Sequence, residues 1–326
     1  MDIPFSPDRP TISIIIPCYR RAEMVLNGVR SALQQDFDPA AYEVIVVDSS
    51  PDESVIEALQ PLRGEARCRF EILRKKPEGP GPSRNLGAAR SLGTYLAFLD
   101  SDCQATPEWL RNLAGGFRPG TGIVQGRTVP MPWKRQGIFS HTIRVEKEGF
   151  LYESANIAYL RQAFEQVGGF LADRNPHAIT PLGGEDTDLA WRVRRKGWAT
   201  AFASDALVYH EVLPMSWRDW IWIDRLEVFP ALIAKYPELR PFFYFRYFYD
   251  RAQMLVLLAL AGLVLSDYYF AFLFLVVPYV VFRASEPTRS LKGILRLGRP
   301  VVYLLRDLAS LFLLVSGSVR SRALLL

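Results

Sequence analysis

The chain has 326 residues, of which 49% are hydrophobic and 22% are charged. This composition excludes a disordered protein, and the length allows one large α/β domain with an additional segment. The net charge is +5, but residues 251–326 alone carry nine Lys or Arg and three Asp or Glu, a net of +6. The first 250 residues therefore have a net charge of −1, which argues against a nucleic-acid-binding catalytic domain and predicts a basic tail that faces anionic lipid.

Strand-like and helix-like stretches alternate through the first hundred residues. Apolar runs predict strands at 11–16, 42–47, 70–73 and 94–99, and helices are predicted between them at 25–33, 54–62 and 85–92. This order predicts an α/β fold with a mostly parallel sheet and helices on both faces. Residues 115–184 are less regular, and beyond them a helix at 185–196 and an extended stretch at 200–210 are predicted.

The tail changes character at Arg251. Residues 252–265 and 268–282 are apolar, and each run is shorter than the roughly 20 residues that a spanning helix needs. Five Arg or Lys residues follow at 283–299, and the positive-inside rule predicts that this stretch stays in the cytoplasm. Since the first 250 residues are also expected in the cytoplasm, a re-entrant hairpin is favoured over one crossing. An interfacial amphipathic helix is predicted at 301–315. The alternative is a buried helical hairpin in a soluble protein.

Two other features bear on the compartment. The three cysteines, Cys18, Cys68 and Cys103, fit neither a disulfide framework nor a zinc site, which favours a reducing compartment. The first ten residues hold two Asp and three Pro, without a basic start or an apolar core, so no signal peptide is expected.

The sequence Asp100-Ser101-Asp102 directly follows the apolar run 94–99. A buried parallel strand delivers the residues after it to the carboxyl edge of the sheet, where open α/β sheets bind their ligands. Two carboxylates at that edge can bind a divalent cation and the phosphates that accompany it. The alternative is a solvated acidic turn that caps the next helix.

Two further candidates lie at the same predicted edge. Residues 77–85 form a Gly/Pro-rich loop that ends in Arg84 and Asn85, where a helix begins. Such a loop can approach a phosphate closely, although for a loop of this type taken alone an ordinary Gly/Pro connection is the better interpretation. Asp48 ends the second predicted strand, where a carboxylate binds a ribose or a base edge or, alternatively, caps the following helix.

Acidic and imidazole side chains supply the remaining candidates. Glu185 and Asp186 open a helix, where they either cap it or include a general base for an acceptor hydroxyl. Asp188 is interpreted as structural. His210, at the end of the extended stretch, is either a third metal ligand or a partly buried histidine with one hydrogen bond.

Taken in order, these motifs resemble the family 2 glycosyltransferases, which have the GT-A nucleotide-sugar-binding fold. The resemblance extends over about residues 10–215 and rests on six stretches, which are 14–19, 46–50, 84–89, 98–102, 156–170 and 184–186.

The resemblance implies a role for each matching position. Nucleotide-sugar binding is implied for Pro17, Tyr19, Asp48, Arg84, Asn85, Asp100 and Ser101. A Mg²⁺ or Mn²⁺ site is implied for Asp100, Asp102 and His210, with Asp102 as the most direct ligand. The pair Glu185 and Asp186 is implied to be catalytic, with Asp186 as the base.

Departures from the family pattern narrow the predicted function. Arg20 replaces a common Asn, Cys103 replaces a frequent acid, and the Q-x-x-R-W motif of processive synthases is absent. The prediction is therefore an inverting, metal-dependent glycosyltransferase that moves one sugar from a nucleotide-diphosphate sugar to a lipid-linked or polysaccharide acceptor. The alternatives are a non-catalytic membrane scaffold with a transferase-like domain and a sugar-phosphate nucleotidyltransferase.

The predicted organisation has three parts. Residues 1–215 form the GT-A catalytic domain, 216–250 an aromatic-rich interfacial linker, and 251–326 a membrane-associating helical tail with hydrophobic and basic residues. The expected location is the cytoplasmic face of the cell membrane, with the catalytic domain in the cytoplasm and no nucleic-acid partner.

Overall fold

The computed structural model describes residues 11–171, 183–285 and 299–326. These residues form two compact units. The described residues of the first, which we call the sheet unit, are 11–134, 142–171 and 185–212. Those of the second, the helical unit, are 135–141, 183–184, 213–285 and 299–326.

One eight-stranded sheet organises the sheet unit. Its strands are β1 (Ile12–Cys18), β2 (Tyr42–Asp48), β3 (Arg69–Arg74), β4 (Tyr95–Leu99), β5 (Cys103–Ala105), β6 (Thr121–Pro130), β8 (Asn156–Leu160) and β9 (Ala199–His210). Their order across the sheet is β3-β2-β1-β4-β8-β6-β9-β5. Strands β1, β2, β3 and β4 run parallel to one another, and β6 and β9 are also a parallel pair. Strand β8 is antiparallel to both β4 and β6, and β5 is antiparallel to β9. The sheet is therefore mostly parallel, as predicted.

Helices cover both faces of this sheet. They are α1 (Ala22–Leu33), α2 (Ser54–Leu59), α3 (Leu62–Glu65), α4 (Pro80–Arg90), α5 (Trp109–Ala114), α6 (Arg161–Gln166) and α7 (Glu185–Arg195), with a 3₁₀ helix at Pro39–Ala41. Successive side chains of β1 point to opposite faces of the sheet and therefore pack against different helices. Ile14 and Ile16 belong to a core cluster with Val25 of α1, whereas Ile15 on the other face lies against Gly87 of α4.

Two predicted helices differ from the observed ones. The helix predicted at 54–62 is broken between α2 and α3, because Pro61 lacks the N–H that a continuing helix needs. The helix predicted at 85–92 begins instead at Pro80. Gly79 has a φ of 90°, which turns the chain, and Pro80 takes the first helical position. The predicted loop 77–85 is therefore helical from residue 80 onward, and Arg84 lies within α4.

The helical unit contains the apolar tail. Its helices are α8 (Trp217–Ile221), α9 (Val228–Lys235), α10 (Arg251–Leu265), α11 (Val277–Ser285) and α12 (Arg299–Ser321), with 3₁₀ helices at Asp224–Glu227, Pro237–Phe242 and Phe270–Val276. A two-stranded ribbon of β7 (Ser140–His141) and β10 (Leu213–Pro214) completes it. Leu255 and Val256 of α10 form a small core with Tyr279 of α11, and Leu304 and Leu308 of α12 pack against it.

Among the described residues, one helix has the length and apolar composition to cross a membrane. It is Pro300–Ser321, with 22 residues and a mean hydropathy of 1.5 in its most apolar window. The apolar segments Arg251–Leu265 and Phe270–Ser285 are shorter. The last helix is thus longer than the predicted 301–315, and the way in which the tail meets a membrane remains a prediction.

Candidate active site

The turn 100–102 connects β4 to β5 at the carboxyl edge of the sheet. Its backbone is fixed by a hydrogen bond of 3.0 Å from Cys103 N to Asp100 O. Strand β5 then pairs with β9, which brings Cys103 opposite His210, and Glu211 N donates to Asp102 O at 2.9 Å. As a result Asp102 Oδ1 lies 3.6 Å from His210 Nε2. Two predicted metal ligands that are distant in sequence are therefore neighbours.

The hydrogen bonding of His210 determines which ring nitrogen can bind a metal. His210 Nδ1 lies 2.8 Å from the carbonyl oxygen of Glu211, which can only accept a hydrogen bond. The ring therefore donates from Nδ1, which leaves Nε2, on the side of Asp102, as the nitrogen available to a metal. A backbone carbonyl that orients an imidazole in this way is a usual feature of metal-binding histidines.

A carboxylate, a thiol and an imidazole meet at this point. The ligand atoms of Asp102, Cys103 and His210 all lie within 4.8 Å of one another. Burial raises the pKa of the Cys103 thiol well above its usual value, and the Asp100 and Asp102 carboxylates raise it further. Cys103 is therefore a neutral thiol, whereas the carboxylate and the imidazole suit Mn²⁺. Burial also raises the pKa of Asp102, and the nearby His210 and Arg21 only partly oppose this shift.

Arg84 joins Asp100, at one end of the candidate site, to Glu185 and Asp186 at the other. Its Nη2 lies 2.7 Å from Asp100 Oδ1, and its Nη1 lies 3.5 Å from Asp186 Oδ1 and 3.8 Å from Glu185 Oε1. The residue is only 4% exposed. Burial alone would lower the pKa of Arg84, but the carboxylates of Asp100, Asp186 and Glu185 outweigh it, and the net shift is upward. One buried cation therefore holds three carboxylates in a single cluster.

Asp186 lies in the first turn of α7 and has the properties of a general base. Ser154 N donates to Asp186 Oδ2 at 3.1 Å, and the side chain is 25% exposed. Burial raises the pKa of Asp186 to about 7, with Arg84 opposing the shift and Glu185 and Asp100 adding to it. A carboxylate with a pKa near neutral takes up a proton far more readily than an ordinary surface aspartate. Asp188 instead forms an ion pair with Arg192 at 2.8 Å and is 2% exposed, consistent with a structural role.

The residues predicted to hold the nucleotide lie at the ends of β1 and β2. The parallel register sets Cys18 beside Asp48, so Pro17 and the 48% exposed Tyr19 lie at the same edge. Asp48 is fully buried, and its Oδ1 accepts from Ser50 N at 2.9 Å. Its Oδ2 has no hydrogen-bond partner, and the carboxylate that accepts from the first N–H of α2 is that of Asp52, not Asp48. A buried carboxylate oxygen without a partner indicates a ligand that donates to it.

Two predicted residues have a different setting from the rest. The Asn85 amide is bonded at both ends to the backbone of Phe170, with Nδ2 2.7 Å from its carbonyl oxygen and Oδ1 2.9 Å from its N–H. Asn85 thus fixes a loop, and its contact with a nucleotide remains a prediction. Ser101 is half-buried in the turn between the two aspartates, with its carbonyl oxygen near Gly28 of α1.

Two residues that the sequence analysis did not select also belong to this region. Arg21 Nη1 lies 3.8 Å from Asp102 Oδ2, and both Arg20 and Arg21 adopt the left-handed backbone conformation. Ser154 positions Asp186 through its backbone N–H. The adjacent arginines after the first strand were a visible signal, because the carboxyl ends of β1 and β4 share an edge. A backbone contact such as that of Ser154 leaves no trace in the residue type.

The close approach of α1 to the turn at 100–102 depends on Gly28. A Cβ at this position would lie 2.8 Å from Cys103 O and 3.0 Å from Ser101 O, which are backbone atoms. We expect Gly28→Ala to displace the turn, to cost about 1–3 kcal/mol of stability, and to weaken Mn²⁺ binding. Gly64→Ala in α3 is the matched control, because its added Cβ would meet nothing within 4 Å. Thermal melts and Mn²⁺ titrations of both variants check this, and equal behaviour of the two would contradict it.

Comparison with known proteins identifies the class. The sequence profile described as Glycosyl transferase family 2 matches residues 13–175, half of the chain. The chain therefore belongs to this family and is a glycosyltransferase.

Individual relatives agree with the family assignment. The chain is 28% identical over 216 residues to glycosyltransferase AglE of Haloferax volcanii, an alignment that covers 63% of this chain and 68% of that protein. It is 29% identical over 234 residues to the pre-mycofactocin glycosyltransferase of Mycobacterium tuberculosis, which covers 67% of this chain and 46% of that protein. The chain thus spans less than half of the second relative.

Solved structures share the fold. The mannosyltransferase PcManGT from Pyrobaculum calidifontis, in complex with GDP-Man and Mn²⁺, superposes with a TM-score of 0.60 at 18% identity, covering 99% of this chain and 90% of that chain. TarS 1–349 of S. aureus, in complex with UDP-GlcNAc, gives a TM-score of 0.51 at 16% identity, covering 96% and 92%. The predicted GT-A fold is confirmed.

Proposed function

We propose that this glycosyltransferase is inverting and metal-dependent, and that it transfers one sugar from a nucleotide-diphosphate sugar to an acceptor hydroxyl. The observation that carries the proposal is the arrangement on either side of the turn 100–102, where Asp102 lies beside His210 and Asp100 lies beside Arg84, which also contacts Asp186. It joins candidate metal ligands to a candidate base within one unit. A non-catalytic scaffold would not need these groups together.

The donor set fits a hard divalent cation. Asp102 and His210 would hold Mg²⁺ or Mn²⁺, with Asp100 close by. When bound, such a cation neutralises negative charge on the diphosphate leaving group. The solved complex of PcManGT with GDP-Man and Mn²⁺ supports this assignment.

The donor would be held along the edge formed by β1, β2 and β4. The unpartnered Asp48 Oδ2 would accept a hydrogen bond from the nucleotide, and the exposed Tyr19 beside Pro17 would offer a ring for stacking. Arg84 keeps its Nε without a hydrogen-bond partner and would donate this N–H to the diphosphate.

Asp186 would remove the proton of the acceptor hydroxyl as its oxygen attacks the anomeric carbon. The new bond forms from that oxygen to the sugar carbon, the bond to the diphosphate oxygen breaks, and its electron pair leaves with the nucleoside diphosphate. Attack opposite to the leaving group inverts the anomeric centre. The raised pKa of Asp186 and its contact with Arg84 support this role.

The experiment that tests the proposed activity is a donor panel. Nucleotide sugars with different bases and sugars are scored by thermal shift with and without Mn²⁺, and donors that bind are tested for transfer to glycan and lipid-linked acceptors. We expect Mn²⁺-dependent stabilisation by at least one donor, followed by a product with the opposite anomeric configuration. Binding without transfer to any acceptor would favour the scaffold, and a retained configuration would exclude inversion.

We also propose that the helical unit places the enzyme at the cytoplasmic face of the cell membrane, close to a lipid-linked or polysaccharide acceptor. Large apolar side chains in the tail are exposed, with Tyr268 at 85%, Phe270 at 74% and Phe274 at 72%. Aromatic residues beside apolar helices are typical of membrane interfaces, and the net charge of +6 after residue 250 favours an anionic leaflet.

Removing two of these aromatic side chains tests membrane association. We expect Phe270→Ser combined with Phe274→Ser to reduce binding to anionic vesicles at least about tenfold, because two exposed apolar groups are lost. Vesicle flotation of the full chain measures this. Leu92→Ser, which removes a 46% exposed apolar side chain from the sheet unit, is the control and should float normally. Unchanged flotation of the double variant would contradict the proposed tail function.

The pKa of Asp186 predicts the acid limb of the pH–rate profile. Burial raises this pKa to about 7, and only the ionised carboxylate can take the proton. Activity should therefore be lost as the pH falls through about 7. Initial rates at saturating donor and acceptor between pH 5 and pH 9 measure this. A half-maximal rate near pH 4, the usual range of an aspartate, would contradict the assignment.

A further inference from the structure

The helical unit contains a polar cavity that the proposed transfer does not use. Its volume is about 470 Å³, and it lies among α10, α11 and α12. The polar and charged side chains that line it include Gln253, Arg283, Tyr303, Arg306, Asp307 and Ser310. Charged and amide groups are unusual between helices whose other faces are apolar, so their partners indicate which ligands the cavity can bind.

One charged pair in this cavity is already neutralised. Arg283 Nε lies 2.9 Å from Asp307 Oδ2, and Arg283 Nη2 contacts Asp307 Oδ1. Tyr279 donates a further hydrogen bond of 2.8 Å to Asp307 Oδ2. The Asp307 carboxylate therefore has donors at both oxygens, and the pair adds no net charge to the cavity.

Arg306 has no such partner. Within the described part of the chain, no carboxylate oxygen lies within 4.0 Å of its guanidinium, which lies 4.8 Å above the Trp220 ring. The other acid that lines the cavity, Asp250, is exposed, and its Oδ1 accepts from Gln253 N at 3.0 Å to cap α10. Stacking on a ring leaves the N–H edge of a guanidinium available, so Arg306 can donate to an oxyanion.

Gln253 supplies a second, independent requirement. It is 3% exposed, and its Oε1 has no hydrogen-bond partner. A buried amide oxygen accepts a hydrogen bond from any donor that fits the space. The ligand must therefore combine a negative charge for Arg306 with a hydroxyl or N–H donor for Gln253.

We propose that this cavity binds a phosphate monoester in its monoanionic form. Two phosphate oxygens would accept from the Arg306 guanidinium, and the P–OH group would donate to Gln253 Oε1. A sulfate or a carboxylate ion would satisfy Arg306 but offers no donor to Gln253. The phosphate can come from a lipid head group or from a soluble phosphate compound. The chemistry is the same in both cases.

Calorimetric titration of the full chain in neutral detergent tests the site without any sugar donor, so the result does not depend on transfer. The probes are dihexanoyl phosphatidic acid, inorganic phosphate and sulfate at pH 6, where the monoanion of phosphate is abundant. We expect saturable binding of both phosphates and weaker binding of sulfate. Tighter binding of phosphatidic acid than of inorganic phosphate assigns the lipid source, and equal affinities assign a soluble phosphate.

Variants on two different helices decide whether this cavity is responsible. We expect Arg306→Gln to weaken phosphate binding at least about tenfold, and Gln253→Met to weaken it about three- to tenfold while leaving sulfate binding unchanged. Gln253→Met should not lower the melting temperature, because the Oε1 atom that it removes has no partner. Arg322→Gln, an exposed arginine after α12, is the charge-matched control. Absent phosphate binding, sulfate binding equal to phosphate binding, or equal losses in Arg306→Gln and Arg322→Gln would overturn the proposal.

Discussion

We expect Asp186→Asn to lower kcat for sugar transfer roughly 10²- to 10⁴-fold while donor affinity stays within about threefold of the wild type. The amide keeps the shape of the side chain but cannot take a proton from the acceptor. Stability should be preserved, because burial penalises the ionised form of Asp186 and Asn is neutral at every pH. Because the pKa of Asp186 is raised in the folded protein, the free energy of unfolding of the wild type decreases as the pH rises through about 7. The variant lacks this pH dependence. Steady-state kinetics, donor titrations and thermal melts at pH 6 and pH 8 measure the three quantities.

Two neighbouring acids serve as controls for this variant. Glu185→Gln should lower kcat less than Asp186→Asn, because Glu185 is the more distant partner of Arg84 at 3.8 Å. Asp188→Asn should lower the melting temperature through the loss of its ion pair with Arg192, with kcat of the folded enzyme retained. A near-normal kcat for Asp186→Asn, or a larger loss for Glu185→Gln, would remove Asp186 as the base.

The second large effect is expected at the other end of the site. Asp102→Asn should weaken Mn²⁺-dependent donor binding by at least about 100-fold, since an amide is a much poorer ligand than a carboxylate for a hard cation. Burial raises the pKa of Asp102 and so penalises its charge, which means that the neutral variant should fold. Donor titrations with and without Mn²⁺ separate this effect from a general loss of affinity.

Asp36→Asn provides the comparison for Asp102→Asn. Asp36 is a surface carboxylate of the same unit, with a side chain 61% exposed, and it pairs with Arg111. It should retain full Mn²⁺ dependence. If Asp102→Asn binds the donor with an unchanged response to Mn²⁺, Asp102 is not a metal ligand.

The positions of some candidate site residues could be predicted from the sequence, because each depends on the end of a single strand. Asp48 and Asp100 each follow or end a short apolar run, and a parallel sheet aligns such ends at one edge. His210 is the last residue of the predicted extended stretch, and in the sheet it pairs with Cys103. Its position therefore follows from the end of that strand. In these cases the residue pattern that defines the end of a strand also defines where the side chain lies in the sheet.

Other features depend on contacts between distant residues, which a single sequence does not reveal. Asn85 lies beside Arg84 in sequence, yet its amide is bonded to the Phe170 backbone instead of facing the carboxylates. The irregular middle region contains two sheet strands, β6 and β8, whose pairing with β9 and β4 is set by the sheet and not by their own periodicity. The start of α4 differs from the predicted one because Gly79 and Pro80, which are typical of loops, here turn the chain and begin a helix.

The central claim is that one divalent cation joins the donor diphosphate to Asp102 and His210. Pulsed electron paramagnetic resonance of Mn²⁺ bound to the enzyme and to the nucleoside diphosphate selected by the donor panel measures this directly. We predict hyperfine couplings to diphosphate phosphorus and to an imidazole nitrogen in the same complex, with the nitrogen coupling lost in His210→Ala. Phosphorus coupling without any nitrogen coupling in the wild type would contradict the claim.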